Sequence, residues 1–259
     1  MKKINTFISF ASIILLFACD RNVSTNTSSS SLLDSAFEHP TKQLKPVLSD
    51  SVIPKKVGTF YGIDISHYQG NIIEKLNNSD SIHFIFCKAT QGQHYVDPYF
   101  RINWREAKEK KIIRGTYHFY DCRIPPKVQA EHFYNTVGTI EDGDIAPVLD
   151  IEAGSMHPSV SAEQMVKDIQ VFLKTIESKF NRKPILYTNY SFAQEHFKDP
   201  KFAEYKLWLA EYSKAKEPII PDTWKEKGYF IWQKSADYHA HSTQLDFDQY
   251  EGDILNLTK

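Results

Sequence analysis

From residue 58 onward, short runs of β-branched and aromatic residues alternate with segments of helical period. Candidate strands are Thr59–Ser66, Ile82–Ala89, Ile113–Tyr120, Ile145–Ile151, Pro184–Thr188, Lys206–Ala210, Tyr229–Gln233 and Gln244–Phe247. The clearest helix is Ser161–Phe180. Ser161 with Gln164 reads as a capping box, and Met165, Ile169, Phe172, Leu173, Ile176 and Phe180 form one apolar stripe. Phe100, Trp104 and Ala107 mark a second helix, and Val128 with Phe133, after Pro125 and Pro126, a third. Strand–helix alternation predicts an α/β fold with a parallel sheet and helices outside. Eight strands in roughly 200 residues suit a small (β/α) TIM-like barrel better than an open sheet. The late part leaves little room for helices, so the barrel should be irregular there. No internal repeat and no second domain are visible.

The first residues follow a different pattern. Met1-Lys2-Lys3 is a basic head, and Ile4 to Phe17 is mostly apolar, short for a membrane span and suited to a signal-peptide core. It ends in Leu16-Phe17-Ala18-Cys19, which resembles a bacterial lipobox. Residues 1–18 are therefore read as a lipoprotein signal peptide. Cys19 is the expected lipidation site, anchoring the chain to a membrane outside the cytoplasm. A plain secretory signal with an incidental cysteine is the alternative. Residues 19–57, with the serine run Ser28 to Ser31 and prolines at 40, 46 and 54, read as a flexible tether, about 35 Å in mean span. Residues 58–259 are read as one folded domain.

Composition narrows the function classes. Lysine plus arginine is 31 and aspartate plus glutamate 32, a formal net charge of −1, which argues against a nucleic-acid binder. Aromatics make up 14%, as a carbohydrate cleft or an aromatic core would require. Three cysteines do not make a disulfide scaffold. Cys87 reads as an inert buried thiol, and a bridge to Cys122 is the less favoured reading.

Acids end three of the strands: Asp64 the first, Asp150 and Glu152 the fourth, Asp246 the last. Residues i and i+2 of a strand face the same way, about 6.6 Å apart along it. Asp150 and Glu152 therefore project together from an apolar strand. Two close carboxylates resist ionising together, which raises one pKa, as a general acid near neutral pH requires. A pair of solvated loop acids is the bland alternative. Closing a barrel makes the first and last strands neighbours, which brings Asp64 and Asp246 to the same place. A rival is a hard-cation site such as magnesium; zinc lacks histidines at ligand spacing.

At these residues the chain resembles the glycoside hydrolase family 25 lysozymes, the Chalaropsis-type muramidases. The resemblance runs from about Gly58 to Asn256. It rests on Tyr61 to Ser66 with Gln69-Gly70, Phe86 to Gly92, Asp97 to Phe100 with Asn103, Gly115 to Phe119, Pro147 to Glu152, Tyr187-Thr188, Leu207 to Ala210, Ile231 to Gln233 and Leu245-Asp246. It implies a flattened, irregular (β/α) barrel that hydrolyses the β-1,4 bond between N-acetylmuramic acid and N-acetylglucosamine in peptidoglycan. By position it implies Glu152 as general acid, with Asp64, Asp150 and Asp246 completing the acidic cluster. It suggests retention of configuration, with the substrate's own acetamido group attacking and Asp150 supporting it. Gln91 stands where an acid is common in the family, and Lys234 where an aromatic is frequent.

Tyr117, Tyr187 and Trp208 sit near the expected mouth, where rings stack on sugars and phenols bond hydroxyls. Lys88 and Gln233 are candidates for acetamido or peptide contacts. His118 either lines the cleft or is a satisfied core histidine, and His239 with His241 reads as a surface loop. No cofactor and no metal are expected. The expected partner is the peptidoglycan strand, and a monomer is the default. Two competing readings are a barrel that binds wall glycan without cutting it, and a glycosidase acting on a chitin-like polymer.

Overall fold

The structure, a computed structural model, describes residues 56–259. The expected signal peptide, Cys19 and nearly all of the tether lie outside the described residues. Nine strands form one sheet: β1 (Val57–Ile65), β2 (Phe84–Gln91), β3 (Tyr95–Val96), β4 (Ile113–Phe119), β5 (Val148–Asp150), β6 (Ile185–Asn189), β7 (Lys206–Ala210), β8 (Ile231–Ala240) and β9 (Thr243–Asp253). The α-helices are α1 (Ile72–Lys75), α2 (Phe100–Glu109), α3 (Pro126–Val137), α4 (Ala162–Phe180) and α5 (Tyr190–His196). The order β1-β9-β8-β7-β6-β5-β4-β2 is closed by β1–β2 pairing into an eight-stranded barrel, with β3 hairpinned onto the edge of β2. The expected irregular α/β barrel is thus present in one catalytic domain.

Its irregularity corrects the sequence reading in one respect. β9 is antiparallel to both neighbours, and it is much longer than Gln244–Phe247. The remaining barrel pairs are parallel. A parallel return needs a crossover of about a dozen residues. Only His241 and Ser242 lie between β8 and β9, at φ 49 and 65. Positive φ at both central residues is the backbone of a tight type I′ hairpin, whose twist matches the strands it joins. The expected loop at His239 and His241 is therefore the end of a hairpin. His241 Nε2 lies 3.1 Å from Asp80 Oδ2.

Alternation along each strand divides the core. Outward residues such as Ile63, Ile85, Leu149, Leu186 and Leu209 pack under the helices. α4 buries Met165, Ile169, Phe172, Leu173 and Ile176 there. Each contributes roughly 1.5–3 kcal/mol relative to exposure. Ser161 Oγ accepts from Gln164 N at 3.1 Å, one half of the expected capping box; the Gln164 side chain instead donates to Asp168. Inward residues Phe60, Phe84, Phe86, Val148, Ile185, Trp208, Ile231 and Tyr250 fill the barrel. Gly62 and Gly115 make room for them. A Cβ at Gly62 would meet the Phe84 ring at 2.3 Å, and one at Gly115 the Phe86 ring at 2.4 Å. Climbing the barrel, the inward positions turn polar at one end: Asp64, Lys88, Asp150, Gln233 and Asp246.

Cys87 and Cys122 are both buried free thiols, so no bridge joins them. Among the described residues no helix is long and apolar enough to cross a membrane.

Candidate active site

The polar end of the barrel opens into a cavity of about 270 Å³. Asp64, Asp150, Glu152 and Asp246 all line it, with Lys88, Tyr117, Tyr187 and Trp208. Larger hollows of about 560 and 770 Å³ lie at the opposite end of the strands, away from the carboxylates. Asp64 ends β1 and stands directly opposite Asp246 in the antiparallel β1–β9 register. Asp150 ends β5. Glu152 follows it in extended conformation and caps a 3-10 turn, its N–H donating to Ser155 Oγ at 3.3 Å and its carbonyl accepting from Ser155 N at 2.9 Å. The strand period holds across the pair, so both acids face the cavity.

None of these carboxyls forms an ion pair among the described residues. Burial and mutual repulsion dominate instead, and both favour the protonated form. Burial raises Asp64 well above the usual carboxylate range, and the charges of Asp248 and Asp246 raise it further. Burial and then the Glu152 charge raise Asp150. Glu152 is raised by burial and by Asp246, while Lys88 opposes the shift. A carboxyl whose pKa is raised beside an open cavity is suited to donate its proton as a general acid.

Asp150 has a further property. Its Oδ1 is buried without any hydrogen-bond partner. A buried acceptor left unsatisfied costs about 1–3 kcal/mol, so a donor supplied by a ligand would be welcome there.

Gln233 corrects an expectation. It is 1% exposed and lies behind the cavity wall. Its Nε2 donates to Asp64 Oδ2 at 2.7 Å, and its Oε1 accepts from the hydroxyls of Tyr187 at 2.9 Å and Tyr212 at 2.6 Å. It fixes three cavity groups at once and touches no substrate space. Trp208 also differs from the stacking platform expected of it. It is 2% exposed, stacks on Phe86 with ring centroids 4.2 Å apart, and donates Nε1 to Asp248 Oδ1 at 2.8 Å. It forms the floor of the cavity. His118 belongs to the core: Thr90 Oγ1 lies 2.7 Å from Nδ1 and Gln129 Oε1 3.1 Å from Nε2, and burial lowers its pKa to about 3. Lys234 points elsewhere, donating to Gln249 and lying over the Trp232 ring.

Sequence reasoning missed Asp248, which is fully buried, accepts from Trp208 Nε1 and sets its charge beside Asp64. It lies two residues beyond Asp246, so strand periodicity carried the signal. It also missed Tyr68, 83% exposed, and Tyr212, both on the cavity rim. They stand on loops, which have no period to betray them.

Paired, part-protonated carboxyls in an open cleft of an α/β barrel are the equipment of a glycoside hydrolase. Comparison with known proteins gives the same class. The model of the glycosyl hydrolases family 25 matches residues 63–243. The N,O-diacetylmuramidase of Chalaropsis sp. is 31% identical over 212 residues, covering 78% of this chain and 98% of that protein. Lysozyme M1 of Streptomyces globisporus is 30% identical over 207 residues, covering 76% and 68%. Among solved structures, the bacterial lysozyme of Streptomyces coelicolor superposes with a TM-score of 0.70 at 28% identity, covering 78% of this chain and 98% of that one. The chain belongs to glycosyl hydrolase family 25 and is a glycoside hydrolase of the lysozyme type.

Proposed function

We propose that this enzyme cleaves the β-1,4 bond between N-acetylmuramic acid and N-acetylglucosamine in peptidoglycan, with Glu152 as general acid and the substrate's acetamido group as nucleophile. The observation that supports the second part is Asp150 itself, which lines the cavity beside Glu152 and whose buried Oδ1 has no hydrogen-bond partner. An acetamido N–H is the donor it lacks. Accepting that hydrogen bond would turn the carbonyl oxygen toward the anomeric carbon and support the positive charge that develops as it attacks.

In the first step the Glu152 proton passes to the leaving glycosidic oxygen as the acetamido oxygen bonds to the anomeric carbon. In the second, ionised Glu152 takes a proton from water, which attacks that carbon and reopens the ring with retained configuration. Asp64 and Asp246 hold charge and hydroxyl groups beside the reacting sugar, while Tyr117 and Tyr187 flank it. The steps use no metal, so activity should survive chelator.

Glu152→Gln should fold normally and lose turnover of purified peptidoglycan; normal turnover in that variant rejects the assignment. Products from the unaltered enzyme should carry muramic acid at the reducing end by mass spectrometry, whereas products from chitin alone would favour the chitin-like alternative. A thiazoline mimic of the cyclised intermediate should inhibit strongly. No inhibition would favour a carboxylate nucleophile. We further propose that lipid on Cys19 tethers the domain at the cell envelope; labelled fatty acid should be incorporated by the full chain and not by Cys19→Ser.

A further inference from the structure

Lys88 is the one cation among the residues that line the cavity. It is two-thirds or more buried, yet it forms no ion pair among the described residues. Its Nζ donates to the Oε1 of Gln91 at 2.9 Å, and it lies 4.8 Å above the Phe119 ring. An ammonium has three N–H donors. One is spent on a neutral amide. The nearby Asp97 carboxylate is already taken by the backbone N–H groups of His67 and Tyr99 and by the His67 ring.

Gln91 contributes a second feature. With its oxygen committed to Lys88, its own amide nitrogen has no hydrogen-bond partner among the described residues. Lys88 thus keeps two N–H donors, and Gln91 an amide N–H₂, with no acceptor bonded to them among the described residues, although the charges of Asp150, Asp97 and Glu152 act on Lys88 through space; a carboxylate is the acceptor that takes such donors most strongly. A glutamate at 91 would fill that role internally, closing an ion pair with Lys88.

Muramic acid carries one carboxyl, on its lactyl ether. In the wall it is either free or joined by an amide to a stem peptide. Only the free form bears a charge. We propose that Lys88 and Gln91 receive the free lactyl carboxylate, so that this enzyme prefers glycan strands from which the stem peptides have been removed. The inference rests on the muramidase reading of the same cavity. It also favours an order of reactions, in which a hydrolase cleaving the lactyl amide supplies the better substrate of this enzyme.

The test compares purified glycan strands bearing peptides with the same strands after removal of the peptides by an amidase. The unaltered enzyme should show a KM about tenfold lower on stripped strands, the difference between a charge-assisted and a neutral hydrogen bond. Gln91→Glu should bring the two KM values together. Gln91→Leu, which leaves Lys88 unpaired, should keep part of the preference and guards against a folding defect in the first variant. Equal KM values in the unaltered enzyme, or an unchanged preference in Gln91→Glu, overturns the proposal. Binding of free N-acetylmuramic acid against its lactyl amide, followed by NMR, separates the two levels. Selective binding without cleavage of either strand would sink the muramidase reading and leave the carboxylate site standing. Cleavage without selectivity would do the reverse.

Discussion

Replacing Gln233 with leucine removes an amide and keeps nearly the same volume. Three hydrogen bonds disappear: Nε2 to Asp64 Oδ2, and Oε1 from the Tyr187 and Tyr212 hydroxyls. Their costs differ with access to water. Tyr212 is 58% exposed and rebonds to solvent at almost no cost. Tyr187 borders the cavity, so a water there limits its loss to about 1 kcal/mol. Asp64 has no such outlet on the Gln233 side, and its orphaned oxygen costs about 1–3 kcal/mol. The sum is about 2–4 kcal/mol, which for a domain of this size lowers Tm by roughly 4–16 °C.

The change also reaches the chemistry. The Gln233 hydrogen bond lowers the Asp64 pKa against burial and the acidic neighbours that raise it. Without it Asp64 becomes still more basic and loses its fixed orientation opposite Asp246. We expect kcat on purified peptidoglycan to fall at least tenfold, about 1.4 kcal/mol in the barrier, with a smaller change in KM. Calorimetry and a reducing-sugar assay measure the two effects. A variant that melts as the unaltered protein does would show that these bonds contribute nothing net. A variant that melts lower but turns over normally would show that Gln233 supports the fold without orienting Asp64 for catalysis.

Three further outcomes follow from the same electrostatics and packing. Asp64, Asp150, Glu152, Asp246 and Asp248 all have folded-state pKa values raised above their unfolded ones. Above pH 4 the folded chain therefore holds protons that the unfolded chain has released, and stability should fall as pH rises, by about 1.4 kcal/mol per pH unit for each such proton. Buried His118 has the opposite sign but acts only below about pH 6.5, so Tm should be higher at pH 5 than at pH 8; a flat or rising profile refutes this. Asp248→Asn keeps an acceptor for Trp208 Nε1 and removes a buried charge beside Asp64, so the variant should be more stable than the unaltered protein at pH 8 and similar at pH 5, by denaturant titration; an equal loss at both pH values would contradict it. Arg114→Met strands Asp144, whose carboxylate receives two guanidinium bonds at 2.7 and 3.1 Å, and should cost about 3–5 kcal/mol with kcat of the folded fraction unchanged.

Much of this was legible in the chain because periodicity is a physical constraint. Lys206–Ala210 and the stripe of α4 follow from residues that must turn one face to the core, and the end of an apolar strand is where Asp150 and Glu152 would have to emerge. What the period does not encode is who pairs with whom. Trp208 was read as a sugar platform because its position is right, but Phe86 and Asp248 occupy it from behind. Gln233 was read as a substrate contact for the same reason, whereas its amide is consumed by Asp64 and two phenols. Side chains at one level of a barrel can face the cavity or be spent on each other, and only three-dimensional neighbours decide which.

The reversed strand shows how a sound rule can give a sound answer for an incomplete reason. Functional groups in parallel barrels gather at the C-terminal ends of strands. Barrel closure brings Asp246 to Asp64, yet Asp246 lies near the beginning of β9 and not at its C-terminal end. It reaches the same end of the barrel because β9 runs against β1, with Asp246 opposite Asp64 and Asp248 opposite Gly62. The antiparallel pairing does something a parallel crossover would not. Two acids two residues apart descend from the cavity mouth into the barrel. Asp248 is thereby sealed under Trp208, where its charge adds to burial in raising the Asp64 pKa. The hairpin at His241 and Ser242, imposed by a connection too short to cross over, thus helps set the charge state of the cavity floor.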